Sequence, residues 1–165
     1  MKEATIELPE AKPPIAWKRI LVPIDFTESS REAVKVAVCL AEHSDAKITL
    51  LHVVQLSSAE TIETGTAAYE VMECAQRSLD EIAGEIPTAF VGQRLVCFSG
   101  AGISEKIIQT ARELSTDLIV LVAHACGLFK RIFLGSTTED VDHHAPCPVL
   151  VVRGNQNSNG KTVLA

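Results

Sequence analysis

The chain has 165 residues, 47% of them hydrophobic, and 15 Lys+Arg against 21 Asp+Glu give a formal net charge of -6. That size suits one domain, able to bury roughly two-thirds of its unfolded surface without metals or disulfides. The negative balance opposes sequence-independent nucleic-acid binding, which needs clustered Lys and Arg, and Lys130-Arg131 is only a pair. Residues 1–7 lack the basic-then-apolar order of a secretory signal, and no apolar run approaches the ~20 residues of a membrane span. A cytoplasmic protein with neither nucleic acid nor membrane as partner is expected. Cys39, Cys74, Cys97, Cys126 and Cys147 are odd in number and form no C-x-x-C pair, so reduced thiols are expected rather than a disulfide framework or a zinc site. Cys39 and Cys97 stand among Val, Leu and Phe and read as small core residues.

Residues 1–16, with Pro9, Pro13 and Pro14, read as a flexible tail. Residues 19–24 are an apolar run without alternation, as in a strand buried on both faces. Ala33, Val36, Ala37, Leu40 and Ala41 then recur at helical spacing over 29–43, where Ser29 and Glu32 spell a capping box. A second strand is predicted at 47–54. A long helical stretch over 58–84 follows, with Ala68, Val71, Met72, Ala75, Leu79 and Ile82 on one face. Gly65 and the neighbouring threonines weaken its first half, and its start reads equally as a loop. The third strand is 94–98. Gly100-Ala101-Gly102 lacks the third glycine of a dinucleotide fingerprint and reads as a tight turn into a helix over 102–114. A strand at 117–122, a short helix at 136–144 and a strand at 149–152 complete the core, and polar residues 154–165 read as a second tail. The alternation β-α-β-α-β-α-β-α-β predicts one α/β domain over 17–153, a parallel sheet with helices on both faces.

Two stretches carry a family resemblance. One is Ile20-Leu21-Val22-Pro23-Ile24-Asp25-Phe26. The other runs from Asp117 through Val122-Ala123-His124-Ala125-Cys126 to Gly135-Ser136, and on to Ala145-Pro146-Cys147-Pro148-Val149-Leu150-Val151-Val152. Together they resemble the universal stress protein family, over about residues 17–153. The resemblance implies an adenine nucleotide alpha hydrolase-like fold: one doubly wound, five-stranded, mostly parallel sheet of strand order 3-2-1-4-5. Its ligand crevice then lies between the first and fourth strands, where the order reverses. Nucleotide-binding members carry Gly-x2-Gly-x9-Gly-Ser/Thr. Here Gly135 and Ser136 fit that pattern, whereas Val122 and Ala125 hold its first two glycine positions. The resemblance implies that Asp25 and Val53 lie at the ribose and adenine, with Pro23 in the same crevice loop, and that Val122, Ala125, Gly135 and Ser136 surround the phosphates, with His124 in the loop between the first two of these. ATP is the implied ligand, bound weakly or not at all. It also implies a homodimer through Val149, Leu150, Val151 and Val152. The leading reading is a non-catalytic stress-response or signalling module with a degenerate nucleotide crevice. A dimeric interaction scaffold without nucleotide and a slow ATP hydrolase are the alternatives; no Walker A lysine motif supports the last.

At single residues, blander readings stand beside these. Gly135-Ser136 reads as a phosphate site or as a plain helix start, since Ser136 and Glu139 also spell a capping box. Val122, being β-branched, is expected to fill space that glycine leaves empty and to resist positive φ. Asp25 reads as a ribose ligand or as a turn or capping carboxylate, with Thr27 and Ser29 as caps rather than nucleophiles. His124 holds a phosphate or holds its loop. His143 and His144 are adjacent, so they cannot form an i, i+4 metal pair and instead suit a helix C-terminus; His43 and His52 show no metal partner. Cys126, near Lys130 and Arg131, reads as a redox sensor or as an unreactive thiol. The apolar last strand needs pairing with a second subunit or cover from a tail.

Overall fold

The computed structural model describes residues 17–55, 65–123 and 135–153. Within them run β1 (Arg19–Pro23), α1 (Glu28–Ser44), β2 (Lys47–Gln55), α2 (Gly65–Gly84), β3 (Val91–Ser99), α3 (Ile103–Glu113), β4 (Leu118–Ala123), α4 (Ser136–His144) and β5 (Val149–Arg153). Every strand pairing is parallel, and the sheet order is β3-β2-β1-β4-β5. Strands without alternation are accounted for by helices on both faces: each residue of β4, Leu-Ile-Val-Leu-Val-Ala, is buried.

Alternation along the strands divides their side chains between two cores. Ile20, Val22, Ile48, Leu50, Leu118, Val120 and Val122 pack with Ala33, Val34, Ala37 and Ala41 of α1 and Leu79, Ile82 and Ala83 of α2. On the other face Leu21, Leu51, Val53, Ile119 and Leu121 pack with Ile107, Ile108 and Ala111 of α3 and Val141 of α4. The small residues of α1 let it lie close over the middle of the sheet. At the start of α3, Gly102 has φ +148°, a conformation that strains any residue with a Cβ. The Ser99 hydroxyl accepts from its N–H at 3.1 Å and donates to its carbonyl at 2.7 Å.

Four expectations are corrected. The N-cap of α1 is Thr27, whose Oγ1 accepts from the Ser30 N–H at 3.2 Å. Ser29 already lies inside the first turn and Glu32 pairs with Lys35 at 2.6 Å, so the Ser29–Glu32 box does not form. At α4 the N-cap is Gly135 and Ser136 is the first helical residue, so the Ser136–Glu139 box is also absent. A capping box needs its serine in the extended conformation just before the helix, and both helices begin too early for that. In α2 burial sets in at Ala75; Ala68, Val71 and Met72 are exposed, because periodicity marks an apolar face but not whether another element reaches it. Cys39 is exposed, two positions from the buried Ala37 and Ala41 and hence on the outer side of α1, whereas Cys97 is half-buried against the α3-side core. The tails at 1–16 and 154–165, and Cys126, lie outside the described residues.

Candidate functional site

β1 and β4 are paired only at their beginnings. Their register runs Ile20↔Leu118 and Leu21↔Ile119 and stops. Beyond it Val22 and Pro23 follow Leu50 and Leu51 of β2, while Leu121, Val122 and Ala123 follow Val151, Val152 and Arg153 of β5. The two halves of the sheet therefore part toward their carboxyl ends, at the point where the strand order reverses and where open α/β sheets bind ligands. A crevice of about 170 Å³ opens there. Pro23, Ile24 and Asp25 border it after β1, with Leu51, His52 and Val53 of β2 and Leu121 and Val122 of β4. Ile103 and Ile107 of α3 and Thr137 and Thr138 of α4 close its other side. Its walls are mostly apolar, with Leu51 and Ile107 fully buried beneath it.

Asp25 is the carboxylate at this mouth. Its Oδ1 accepts from the Thr27 N–H at 3.0 Å and from the Thr27 hydroxyl at 2.6 Å, so it shapes the turn into α1 while bordering the crevice. Between the two, Phe26 has φ +63°, a left-handed conformation that costs a bulky residue about 1–2 kcal/mol. Val53 lies near the end of β2 with its side chain in the α3-side core.

Across the gap stands the start of α4. The Glu139 N–H donates to the Gly135 carbonyl at 3.0 Å, the first bond of the helix, and the N–H groups of a helix's first turn have no partners within it. Gly135 has φ -57°, so conformation does not demand glycine, and among the described residues a Cβ there would meet nothing within 4 Å. Gly135 and Ser136 sit beside the crevice without bordering it; Thr137 and Thr138, next in sequence, border it. Thr138 is buried, and its hydroxyl donates to the Val122 carbonyl at 3.5 Å, tying the first turn of α4 to the end of β4.

The expectation for the Val122 side chain meets a different geometry. Val122 pairs with Val152 as an ordinary strand residue, and the positive-φ residues other than glycine, among those described, are Phe26, Asp45 and Ser115. Alternation places Val122 in the core beneath α1, while the residue also borders the crevice. His124 and Ala125 lie outside the described residues. Among those described, no three His, Cys, Asp or Glu side chains gather as metal ligands, and no helix is long and apolar enough to cross a membrane.

Over residues 16–153 the sequence matches the Universal stress protein family. The chain belongs to that family. A Staphylococcus aureus (strain USA300) protein assigned by name to the universal stress proteins is 31% identical over 144 residues, covering 84% of this chain and 86% of that one. The solved universal stress protein UspA from Lactobacillus plantarum is 27% identical, with a TM-score of 0.60 over 83% of this chain and 98% of its own. An Archaeoglobus fulgidus universal stress protein, solved in complex with dAMP, shares the fold at 18% identity, with a TM-score of 0.59 over 83% of this chain and 98% of its own.

In this universal stress protein the crevice draws on residues that sequence reasoning had put to other uses. Ile103 and Ile107 read as core positions of an amphipathic helix, because periodicity cannot say which end of a buried face stays open. Thr137 and Thr138 follow Gly135-Ser136 directly, and the first turn of a helix beside a binding loop is a signal that could have found them. His52, set aside for lack of a metal partner, instead binds backbone: its Nδ1 lies 2.7 Å from the Ile24 carbonyl oxygen.

Proposed function

We propose that this universal stress protein is a non-catalytic, cytoplasmic signalling module whose crevice takes an adenine nucleotide by its base and ribose and grips the phosphates weakly. The observation that carries this reading is the parted β1–β4 gap, with Asp25 on one side and the first turn of α4 on the other. In this proposal Pro23 and Val53 flank the base, and the Asp25 carboxylate accepts from ribose hydroxyls. Val122, His124, Ala125, Gly135 and Ser136 are then the surroundings of the phosphates. Among the described residues nothing lies within 4 Å of a Cβ built on Gly135, which supports an anion's approach to the helix N-terminus. A crevice of about 170 Å³ is small beside the ~300 Å³ at which pockets for drug-sized ligands begin, and so suits one planar base better than a whole triphosphate. The same fold holds dAMP in the Archaeoglobus protein.

Calorimetric titration with AMP, and with ATP and Mg2+, tests the reading. Both nucleotides are expected to bind with similar Kd values of about 0.1 mM or weaker, near -5.5 kcal/mol, and Asp25→Ala to weaken both. ATP binding far tighter than AMP would replace weak phosphate contact with a working triphosphate site. Silence toward both nucleotides would overturn the reading.

The second reading is a dimeric interaction scaffold. It is favoured by the exposure of Tyr69 (66%), Val71 (47%) and Met72 (41%) on α2. Both readings include a homodimer through β5, an edge strand with Leu150 exposed and Val149, Val151 and Val152 half-buried. Pairing it with its own copy would satisfy the open edge.

A further inference from the structure

We propose that His52 is a positioning residue for the crevice it borders: with its ring against Phe26 on the α1 side of the sheet, it holds the turn that presents Asp25. The proposal rests on the nucleotide reading above for its consequence, though not for its geometry. Alternation along β2 sends Leu51 and Val53 to the α3 side and His52 to the α1 side. There its ring meets that of Phe26, with centroids 4.3 Å apart and planes inclined at 34°.

β1 ends at Pro23, and the next residue has one backbone group in the ladder and one outside it. The Ile24 N–H donates to the Leu51 carbonyl at 2.8 Å, while the Ile24 carbonyl accepts from His52 Nδ1 at 2.7 Å. Because a carbonyl can only accept, Nδ1 carries the hydrogen, which the Nδ1–H tautomer of the neutral ring and the protonated ring both provide. Adjacent residues of one strand thus hold both backbone groups of Ile24, Leu51 by its carbonyl and His52 by its side chain. Ile24 is buried in the α1-side core, and Phe26 packs against that core in its left-handed conformation. With the residues on both sides of it pinned on this face, Asp25 is left at the mouth of the crevice, where Thr27 binds its Oδ1.

Two variants separate this role from simple packing. Asparagine sets its amide nitrogen where His52 has Nδ1, whereas glutamine sets it where His52 has Nε2. The readouts on the full chain are hydrogen exchange of the Thr27 amide by NMR, global stability in urea, and calorimetric titration with AMP. His52→Asn is expected to keep both Thr27 protection and AMP affinity. His52→Gln is expected to lose each by about tenfold, the worth of one hydrogen bond, beyond any change in global stability. Should His52→Gln fail to fold, Phe26→Gly removes the ring that seats His52 while relieving the left-handed backbone. It is expected to lower Thr27 protection to the same degree. Full Thr27 protection in the folded glutamine or glycine variant overturns the proposal, as does an equal loss in the asparagine and glutamine variants. If wild type ignores AMP, the nucleotide reading fails, and the amide exchange still decides whether His52 positions Asp25.

Discussion

Asp117, just before β4, holds Arg19 at the start of β1 twice: one carboxylate oxygen accepts the Arg19 backbone N–H at 2.8 Å, and the other its guanidinium at 3.2 Å. The first oxygen also accepts the Lys18 N–H at 2.9 Å. The pair locks the two central strands together at the end opposite the crevice, where their short register begins. Burial alone would raise the Asp117 carboxyl. The hydrogen bonds from the Arg19 side chain and from the Lys18 and Arg19 backbone, with the Arg19 charge, outweigh it and hold the group below its ordinary value.

A depressed carboxyl contributes stability above its unfolded value and loses it as pH falls through the folded one. Asp117→Asn is therefore expected to cost about 1–3 kcal/mol at pH 7, the range for hydrogen bonds to a charged group. The gap between variant and wild type should shrink as pH drops below about 4. Urea denaturation at several pH values checks this; a gap independent of pH would remove the charge from the argument.

Gly92 lies where the β2–β3 register shifts between Ile48 and Leu50. A Cβ there would stand 2.7 Å from the Ile48 carbonyl oxygen and 3.1 Å from its carbon, both backbone atoms. Gly92→Ala is expected to destabilise the fold by about 1–3 kcal/mol, the usual cost of overpacking. Thermal or urea unfolding measures it, and a neutral substitution would mean that β3 can move aside.

The Cys147 thiol is raised above its ordinary pKa, first by burial and then by the negative charge of Asp117. Cys39 and Cys74 are exposed. At pH 8, iodoacetamide followed by peptide mass spectrometry should label Cys147 about tenfold more slowly than either of them, since the thiolate is the nucleophile. Equal rates would show the thiol to be more open than its surroundings indicate.

The proposed pairing of β5 with its copy predicts that Leu150→Glu, which would set like charges near each other across the new ladder, yields a monomer of 17.8 kDa. Light scattering on a sizing column reads the mass. A variant that stays dimeric moves the interface elsewhere, the exposed Tyr69–Met72 stretch of α2 being the next surface to test.

The sequence by itself determined the element order and the parallel sheet, because unbroken apolar strands alternating with amphipathic helices admit few topologies, while the family came from the resemblance carried by the stretches around Asp25 and Gly135. Local signatures at a strand end and a helix beginning marked Asp25 as a turn carboxylate and Gly135-Ser136 as a helix start, and the resemblance placed both beside a crevice. Tertiary structure alone decided what those signatures face. The side of the sheet to which Val122 and His52 turn depends on strand phase relative to the helices above, and only the packed molecule shows that phase. The same holds for α2, whose apolar stripe is exposed at Ala68, Val71 and Met72 and buried only from Ala75 onward. It holds as well for the crevice, which exists because β1 and β4 pair briefly and then follow different partners, a relationship between residues almost a hundred positions apart that no local pattern records.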